Sequence, residues 1–169
     1  FGPINGVVHA AGVAGGGIIQ LKDPTQADAV LSAKVRGSVV LDELLRDREL
    51  DFMVLCSSLS SVIGGVGQVD YCAANAFLDA FARDRTARTN QYTVSINWDV
   101  WQEVGMAVGT EVPELLQKQR QESIDSGLSP AEGIAAFRHI LDSDLPHVLV
   151  STKNLDDVIE NRRSDIGLE

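Results

Sequence analysis

The stretch Cys-Ser-Ser-Leu-Ser-Ser-Val-Ile-Gly-Gly-Val-Gly-Gln-Val-Asp-Tyr-Cys-Ala-Ala-Asn, residues 56–75, is the most informative part of this chain. It ends an apolar strand with serines, crosses a glycine-rich loop and begins a helix that carries Tyr71 and Asn75. These two residues are one helical turn apart and therefore share a face. A serine at a strand end and a tyrosine near a helix start can both point at one carbonyl oxygen. That arrangement suits the addition of a proton and a hydride to a ketone.

The segments around this stretch alternate between strands and helices. Apolar runs at 4–9, 51–56 and 92–98 predict buried strands, and apolar residues at helical spacing predict helices over 24–48 and 70–88. Asp23 before Pro24 is a typical helix start. The order strand, helix, strand, helix, strand predicts an α/β fold with a Rossmann-like, doubly wound parallel sheet.

The pattern is looser after Trp101. We expect a loop over 101–110, helices over 113–126, 129–142 and 154–162, and one more short strand over 147–151.

Composition narrows the class of protein. The chain has 169 residues, a net charge of −10 and a pI near 4.6, and this acidic balance argues against nucleic-acid binding. No apolar run reaches the roughly 18 residues of a membrane span, and residues 1–6 lack the basic and apolar regions typical of a secretory signal. Cys56 and Cys72 lack CxxC or metal spacing, which favours two reduced thiols in a cytoplasmic protein.

Lys34 is unusual because it shares a helix face with apolar residues such as Val30 and Leu31. A lysine on the core side of a helix is costly unless it is paired or functional. Taken alone, Lys34 is interpreted more simply as a lysine whose side chain reaches solvent from the edge of this apolar helix face. Ser58 alone is equally explained by turn chemistry, and the Tyr71–Asn75 pair alone by packing. Only the combination favours a catalytic site.

Other polar and glycine residues favour structural interpretations. His9, at a strand end, is interpreted as structural. Gly64, Gly65 and Gly67 lack the lysine–serine pair of a phosphate loop and are expected to let the chain turn towards Tyr71. Asp99 and Glu103 have no histidine–carboxylate cluster beside them, so no metal site is predicted.

The informative motifs are, in chain order, Val-His-Ala-Ala-Gly at 8–12, Lys34, Ser-Ser at 57–58, Gly-Gln-Val-Asp-Tyr-Cys-Ala-Ala-Asn-Ala-Phe-Leu-Asp-Ala at 67–80 and Asn-Trp-Asp-Val-Trp at 97–101. Taken together, they resemble the ketoreductase domain of modular polyketide synthases, a branch of the short-chain dehydrogenase/reductase superfamily. A general short-chain dehydrogenase carries lysine four residues after its tyrosine. Here that position is Asn75, and the polyketide branch is similar in taking its lysine from the earlier helix.

The resemblance implies a role for each catalytic residue. Tyr71 would be the general acid, Ser58 would hold the ketone oxygen, and Asn75 would orient Lys34 and a relay water. We expect the Lys34 ammonium to lower the pKa of Tyr71. The nicotinamide of NADPH is expected against Ala10, Ala11, Gly12 and the Asn97–Trp98 strand end. Gly105 and Met106 stand where the family carries its substrate-side lid.

The resemblance also implies how the chain is organised. No G-x-G-x-x-G follows a strand, so the half that binds the cofactor phosphates is expected to lie outside this chain. We expect residues 1–162 to be the C-terminal part of a ketoreductase domain and 163–169 to be a linker. The implied partners are an acyl carrier protein and the other domains of one synthase, and the isolated segment is expected to self-associate through an open strand edge.

Two alternatives stay open at this point. One is the ketoreductase of a type I fatty-acid synthase, which shares the lysine–asparagine exchange, and the other is a scaffold that has lost its chemistry. Neither stereochemical fingerprint of the family is present, because Ala14, Gly15 and Gly16 replace Leu-Asp-Asp and Ile63 replaces a tryptophan. The sequence therefore does not assign the configuration of the alcohol.

Overall fold

A parallel β-sheet forms the centre of the fold. The computed structural model describes residues 2–109 and 114–165. Within them the strands are β1 (Gly6–His9), β2 (Phe52–Ser58), β3 (Thr93–Trp98) and β4 (His147–Leu149). They lie in the order β1-β2-β3-β4, and each neighbouring pair is parallel. The predicted α/β class with a parallel sheet is confirmed.

Helices connect and cover the strands. They are α1 (Pro24–Leu31), α2 (Gly37–Leu44), α3 (Ser60–Ile63), α4 (Val69–Thr89), α5 (Met106–Gly109), α6 (Glu114–Asp125), α7 (Pro130–Leu141) and α8 (Leu155–Asp165). The sequence pattern predicts the long helices to within a few residues. It does not predict the short helices α3 and α5 or a 3₁₀ turn at Ile19–Leu21. The predicted helix start at Pro113 and residues 166–169 of the predicted linker lie outside the described residues.

The helix predicted over 24–48 is continuous but changes its winding in the middle. Asp23 caps its start by accepting a hydrogen bond from the Thr25 backbone N–H at 2.8 Å. Between α1 and α2, residues Ser32–Arg36 form a π-helical turn that contains Lys34. Wide π turns inside α-helices are rare and frequently mark functional sites.

Each face of the sheet has its own apolar cluster. Side chains alternate along β2, so Met53 and Leu55 pack towards α2 and α4, whereas Val54 packs on the other face with Ile96 and with Ile140 of α7. All five of these residues are at most 5% exposed. A sheet covered on both faces explains why its strands read as nearly continuous apolar runs.

The carboxyl ends of the first three strands meet at one edge of the sheet. His9 pairs with Leu55, and Ser58 pairs with Trp98. In doubly wound sheets, ligands bind outside this carboxyl edge. The fold therefore brings the predicted site residues of β1, β2 and β3 to the side of the sheet where a ligand is expected.

β1 is the edge strand of the sheet in the described part of the chain, as the sequence predicted. Ile4 and Val8, which belong to the predicted first strand, are about half exposed. An open strand edge with apolar neighbours favours pairing with another chain. Self-association stays a prediction. Among the described helices, none combines the length and apolar character that crossing a membrane requires.

Candidate active site

Ser58, the last residue of β2, offers a hydroxyl donor at the carboxyl edge. Its Oγ accepts hydrogen bonds from the Ser60 backbone N–H at 3.2 Å and from Ser60 Oγ at 3.0 Å. A serine hydroxyl has two acceptor positions and one donor hydrogen. Since both acceptor positions are used by the turn into α3, the Ser58 O–H is the group that donates at this edge, where the Tyr71 side chain is its neighbour.

The loop between α3 and α4 turns the chain back so that α4 begins beside Ser58. Gly64 and Gly67 adopt positive φ angles of 73° and 71°, which glycine accepts without steric cost. The prediction that these glycines turn the chain towards Tyr71 is confirmed. Tyr71 lies in the first turn of α4, and its side chain interacts with those of Ser58 and Asn75.

Asn75 fixes the geometry of this first turn. It is fully buried, and its Nδ2 donates to the Tyr71 backbone carbonyl at 2.7 Å. The backbone carbonyl of Asn75 accepts a hydrogen bond from Ser57 Oγ at 3.2 Å, which ties the end of β2 to α4. The Asn75 Oδ1 is buried without a hydrogen-bond partner in the structure. Such an acceptor is costly unless a ligand or water satisfies it.

Lys34 extends from the π-helical turn to β2, where it binds the backbone two residues before Ser58. The residue is only 3% exposed, and its Nζ donates to the Cys56 carbonyl at 2.6 Å. The simpler interpretation, a lysine that reaches solvent, is therefore wrong. An ammonium has three donor hydrogens, so two remain for other acceptors after the bond to Cys56.

Burial lowers the pKa of Lys34, while electrostatic attraction from Cys56 and Asp79 opposes this shift. Burial also raises the pKa of Tyr71, and interactions with Ser58 and Asn75 only partly counter it. The expectation that Lys34 would lower the Tyr71 pKa is therefore wrong: removing the phenolate from water raises this pKa, and the groups that oppose the shift are Ser58 and Asn75. Tyr71 is accordingly protonated at neutral pH, which is the state that a proton donor needs.

The loop after β1 completes the site on the side of Lys34. A Cβ at Gly12 would stand 3.3 Å from Lys34 Cε and 3.5 Å from Met106 Cε, so these three predicted residues lie together. Ala10, Ala11 and Gly12 are exposed and small. Gly105, next to Met106, has a φ of 92° and begins the turn into α5. The predicted substrate-side residues thus lie beside the predicted cofactor-side loop.

Comparisons with known proteins agree with this geometry. The family model described as the KR domain matches residues 1–103, which is more than half of the chain. The chain belongs to the KR domain family. Polyketide synthase ThaG of Burkholderia thailandensis is 41% identical over 155 residues, covering 87% of this chain and 3% of that protein. Polyketide synthase PksM of Bacillus subtilis is 38% identical over 152 residues, covering 89% of this chain and 4% of that protein.

A solved structure of A-type ketoreductases from a modular polyketide synthase superposes with a TM-score of 0.82 at 30% identity. The match covers 96% of this chain and 34% of that chain. The present KR chain therefore spans about a third of that ketoreductase structure and a few per cent of the synthases it resembles.

The cofactor prediction fits some KR residues better than others. Ala10, Ala11 and Gly12 offer exposed backbone next to the Lys34 amine, and a side chain at position 12 would crowd this space. Asn97 is different, because it is fully buried and its amide is used internally. Trp98 packs against Trp101 with ring centroids 5.1 Å apart. The loop at 10–12 thus has exposed backbone beside the Lys34 amine, whereas the Asn97 side chain is taken up by contacts inside the protein.

A buried polar network behind the KR site was not predicted from the sequence. Its centre is Asp79, whose carboxylate accepts hydrogen bonds from Ser61 Oγ at 2.6 Å, Ser95 Oγ at 2.7 Å and Asn97 Nδ2 at 2.9 Å. The spacing of Tyr71, Asn75 and Asp79 at four-residue intervals places them on one face of α4. That spacing was the sequence signal for this network.

His147 on β4 belongs to the same network. Arg83 approaches its Nδ1 at 2.5 Å, and its Nε2 lies 2.9 Å from Asn97 Oδ1. An arginine can only donate, so Nδ1 accepts and Nε2 carries the hydrogen that is donated to Asn97. Burial lowers the pKa of His147, Asp79 opposes this and Arg83 adds to it. The neutral imidazole is therefore the form that fits the folded chain.

This neutral histidine predicts a loss of stability in acid. The unfolded His147 binds a proton below about pH 6.5, whereas the folded one resists protonation until a lower pH. The free energy of unfolding should therefore decrease as the pH drops through and below about 6.5. His147→Gln should make this decrease smaller. Urea unfolding of the parent chain and of His147→Gln at about pH 7.5 and about pH 5.5 measures the free energy of unfolding on both sides of this titration. His139→Gln, at an exposed position of α7, is the matched control.

His9 adds to the same trend, because burial and the nearby Lys34 lower its pKa as well. The acid loss should therefore shrink in His147→Gln without disappearing. Equal pH dependence in the parent chain and His147→Gln would show that the network does not depend on a neutral His147.

Proposed function

We propose that this chain provides the catalytic residues of a ketoreductase that reduces a β-ketoacyl thioester to a β-hydroxyacyl thioester. The observation that carries the proposal is the contact of Tyr71 with Ser58 at the carboxyl edge of the sheet, with the buried Lys34 bound to the Cys56 carbonyl two residues before Ser58. A hydroxyl donor, a protonated phenol and an ammonium in one place are the groups that polarise a carbonyl and then protonate its oxygen.

In this proposal Tyr71 donates its phenolic proton to the ketone oxygen while the carbon accepts a hydride, so the C=O bond becomes C–O–H. NADPH, when bound, supplies that hydride. Ser58 donates a hydrogen bond to the same oxygen and stabilises the negative charge that develops on it. The Lys34 ammonium, held on the Cys56 carbonyl, would favour negative charge that develops at this edge during the transfer.

Tyr71 must regain a proton after each turnover. Asn75 keeps the first turn of α4 in place through its bond to the Tyr71 carbonyl, and its unpartnered Oδ1 could hold a water. Lys34 retains donor hydrogens after its bond to Cys56. A water between these groups would return a proton to the phenolate, with Lys34 and Asn75 as its anchors.

NADPH rather than NADH is proposed from family membership. The described residues offer the loop at 10–12 and the Lys34 side for the reactive end of the cofactor. We propose that the phosphates are bound by a part of the ketoreductase outside residues 1–162, since solved relatives are about three times as long as the matched region. This agrees with the absence of a G-x-G-x-x-G motif in the chain.

The substrate is proposed to arrive on an acyl carrier protein of the same synthase. Both curated relatives named above are polyketide synthases of which this chain covers 4% or less. A carrier tethered to the same polypeptide reaches the site at a high effective concentration, so tight docking is not required. This chain is acidic, and carrier proteins are usually acidic as well, so the two surfaces would repel each other. Delivery by a tether does not need attraction between the surfaces and therefore suits this pair.

The proposal is tested by comparing the complete ketoreductase that contains this segment with residues 1–169 alone. The complete protein should oxidise NADPH when a β-ketoacyl N-acetylcysteamine thioester is added and should bind NADPH with a dissociation constant in the micromolar range. The segment alone should give no binding heat in calorimetry. Failure of the complete protein to reduce the thioester would contradict the function. Micromolar binding by the segment would contradict the division of the cofactor site.

A further inference from the structure

A buried ion pair joins the loop after β1 to the residue that precedes Tyr71. Lys22 Nζ lies 2.5 Å from Asp70 Oδ2, and the two side chains are 7% and 3% exposed. By contrast, the Arg36–Asp28 pair on the helix surface is 70% and 57% exposed. Breaking a buried pair leaves an uncompensated charge, whereas exposed pairs contribute little. The Lys22–Asp70 contact is therefore a strong constraint on the loop at 13–22.

The Asp70 carboxylate links this loop directly to the backbone of Tyr71. Its Oδ1 accepts the Tyr71 backbone N–H at 2.9 Å while its Oδ2 faces Lys22. The first backbone N–H groups of a helix have no partner within the helix and are stabilised by a carboxylate. One side chain thus holds the loop with one oxygen and the first turn of α4 with the other.

Glycines allow the loop backbone to sit against this turn. A Cβ at Gly15 would come within 2.7 Å of Asp70 Oδ1 and 3.1 Å of Tyr71 Cβ. A Cβ at Gly67, on the approach to α4, would stand 3.5 Å from Gly17. The loop is therefore in close contact with the base of the Tyr71 side chain.

On the side of α1 the loop is loosely packed. A hollow of about 180 Å³ lies between the loop and α1, lined by residues such as Val13, Gly16, Gln26 and Val30 together with the ion pair. Because no side chain fills the hollow, α1 holds this side of the loop weakly, and the Lys22–Asp70 contact and the close approach at Gly15 hold the loop against α4.

We propose that Lys22 and Asp70 are positioning residues for the reduction, because their contact sets the place of the Tyr71 hydroxyl relative to the substrate. This inference rests on the proposed function. The pair acts through Tyr71 and through the loop at 13–16, not by touching the reacting atoms. A displacement of about 1 Å in a proton donor is enough to slow a reaction strongly.

The test uses the complete ketoreductase with Lys22→Met, Asp70→Asn, the double variant and Lys22→Arg. Turnover is expressed per NADPH-binding site, so that any loss of folded protein is removed from the comparison. We expect each single variant to lower kcat by about tenfold or more with the NADPH dissociation constant unchanged. The double variant should be no slower than the worse single variant, because both changes break one contact. Lys22→Arg keeps the cation and should restore most of the rate.

Asp84→Asn is the matched control, since Asp84 lies near the other end of α4 in an exposed pair with Arg88. Its kcat should equal that of the parent. Gly15→Ala is a second test that leaves both charges in place. Its methyl group pushes the loop away from Asp70 and Tyr71, and kcat should fall while NADPH binding is kept.

The outcomes separate this inference from the proposed function. If the parent reduces the thioester and all of Lys22→Met, Asp70→Asn and Gly15→Ala match its kcat, the positioning role is refuted and the function stands. If the Lys22 and Asp70 variants do not fold, an unchanged kcat in Gly15→Ala refutes the role by itself. If the parent reduces no β-ketoacyl thioester, the proposed function fails and the positioning role fails with it.

Discussion

Tyr71→Phe should lower the kcat of the complete ketoreductase on a β-ketoacyl thioester by about a hundredfold or more, the usual scale for losing a general acid. The substitution removes only the phenolic O–H. Tyr71 is partly buried beside Ser58 and Asn75, and the ring of phenylalanine can occupy the same space. KM should change much less than kcat, because proton donation is an interaction of the transition state.

The chain supplies its own control for this experiment. Tyr92, the only other tyrosine, donates its hydroxyl to the Ile140 carbonyl at 2.7 Å in the core beside α7. Tyr92→Phe removes the same atom far from Ser58 and should cost a modest amount of stability while leaving kcat unchanged. If Tyr71→Phe and Tyr92→Phe turn over equally, the scaffold alternative is favoured and Tyr71 is not the proton donor.

The direction of the pKa shifts strengthens this prediction in one respect. Burial raises the pKa of Tyr71, so the phenol stays protonated at pH 7 and the reduction does not wait for a proton to bind. The lowered pKa expected from the sequence would have suited the reverse oxidation better. Deprotonation in alkaline solution should therefore slow the reduction only well above neutral pH.

Local sequence patterns predicted most of the fold because the elements are locally consistent. Asp23 and Pro24 favour a helix start through local contacts alone. Ser129 at the start of α7 likewise forms a capping box with Glu132. Apolar runs between helices predict parallel strands that are covered on both faces. These signals depend on residues that are close in sequence, so a single amino-acid sequence is enough to predict the elements.

The π-helical turn around Lys34 could not be predicted in this way. Its presence depends on tertiary contacts, such as the Lys34 bond to the Cys56 carbonyl, 22 residues away. The same holds for the Lys22–Asp70 pair, whose partners are far apart in sequence and belong to a loop and a helix start. Residue identities predicted a candidate set of site side chains, whereas only the folded chain shows what each one contacts.

The role expected for Asn97 shows a second limit of sequence patterns. The motif at 97–101 predicted a cofactor contact, but the Asn97 side chain binds Asp79, Ser61 and His147 inside the protein. A strand alternates its side chains between two faces, and position 97 faces α4. Which face binds a ligand is decided by the connections between strands, and these are not visible in the motif itself.

Asp79→Ala should destabilise the folded chain by about 3 kcal/mol or more, the largest stability effect expected here. Ser61, Ser95 and Asn97 all donate to this carboxylate, and hydrogen bonds to charged groups are each worth about 1.5–3 kcal/mol. The alanine leaves three donors in a dry site without an acceptor. The sum of the three bonds overestimates the loss, because neighbouring bonds are not additive.

Urea unfolding measures this effect, with the fluorescence of Trp98 and Trp101 as the signal, since both lie next to the network in sequence. Asp84→Ala removes an exposed carboxylate from the same helix and should change the free energy of unfolding by less than about 1 kcal/mol. Ser95→Ala removes one donor of the network and should fall between these two values. If Asp79→Ala is no more destabilising than Asp84→Ala, the buried carboxylate does not hold α4 on the sheet, and another contact must fix the Tyr71 face of that helix.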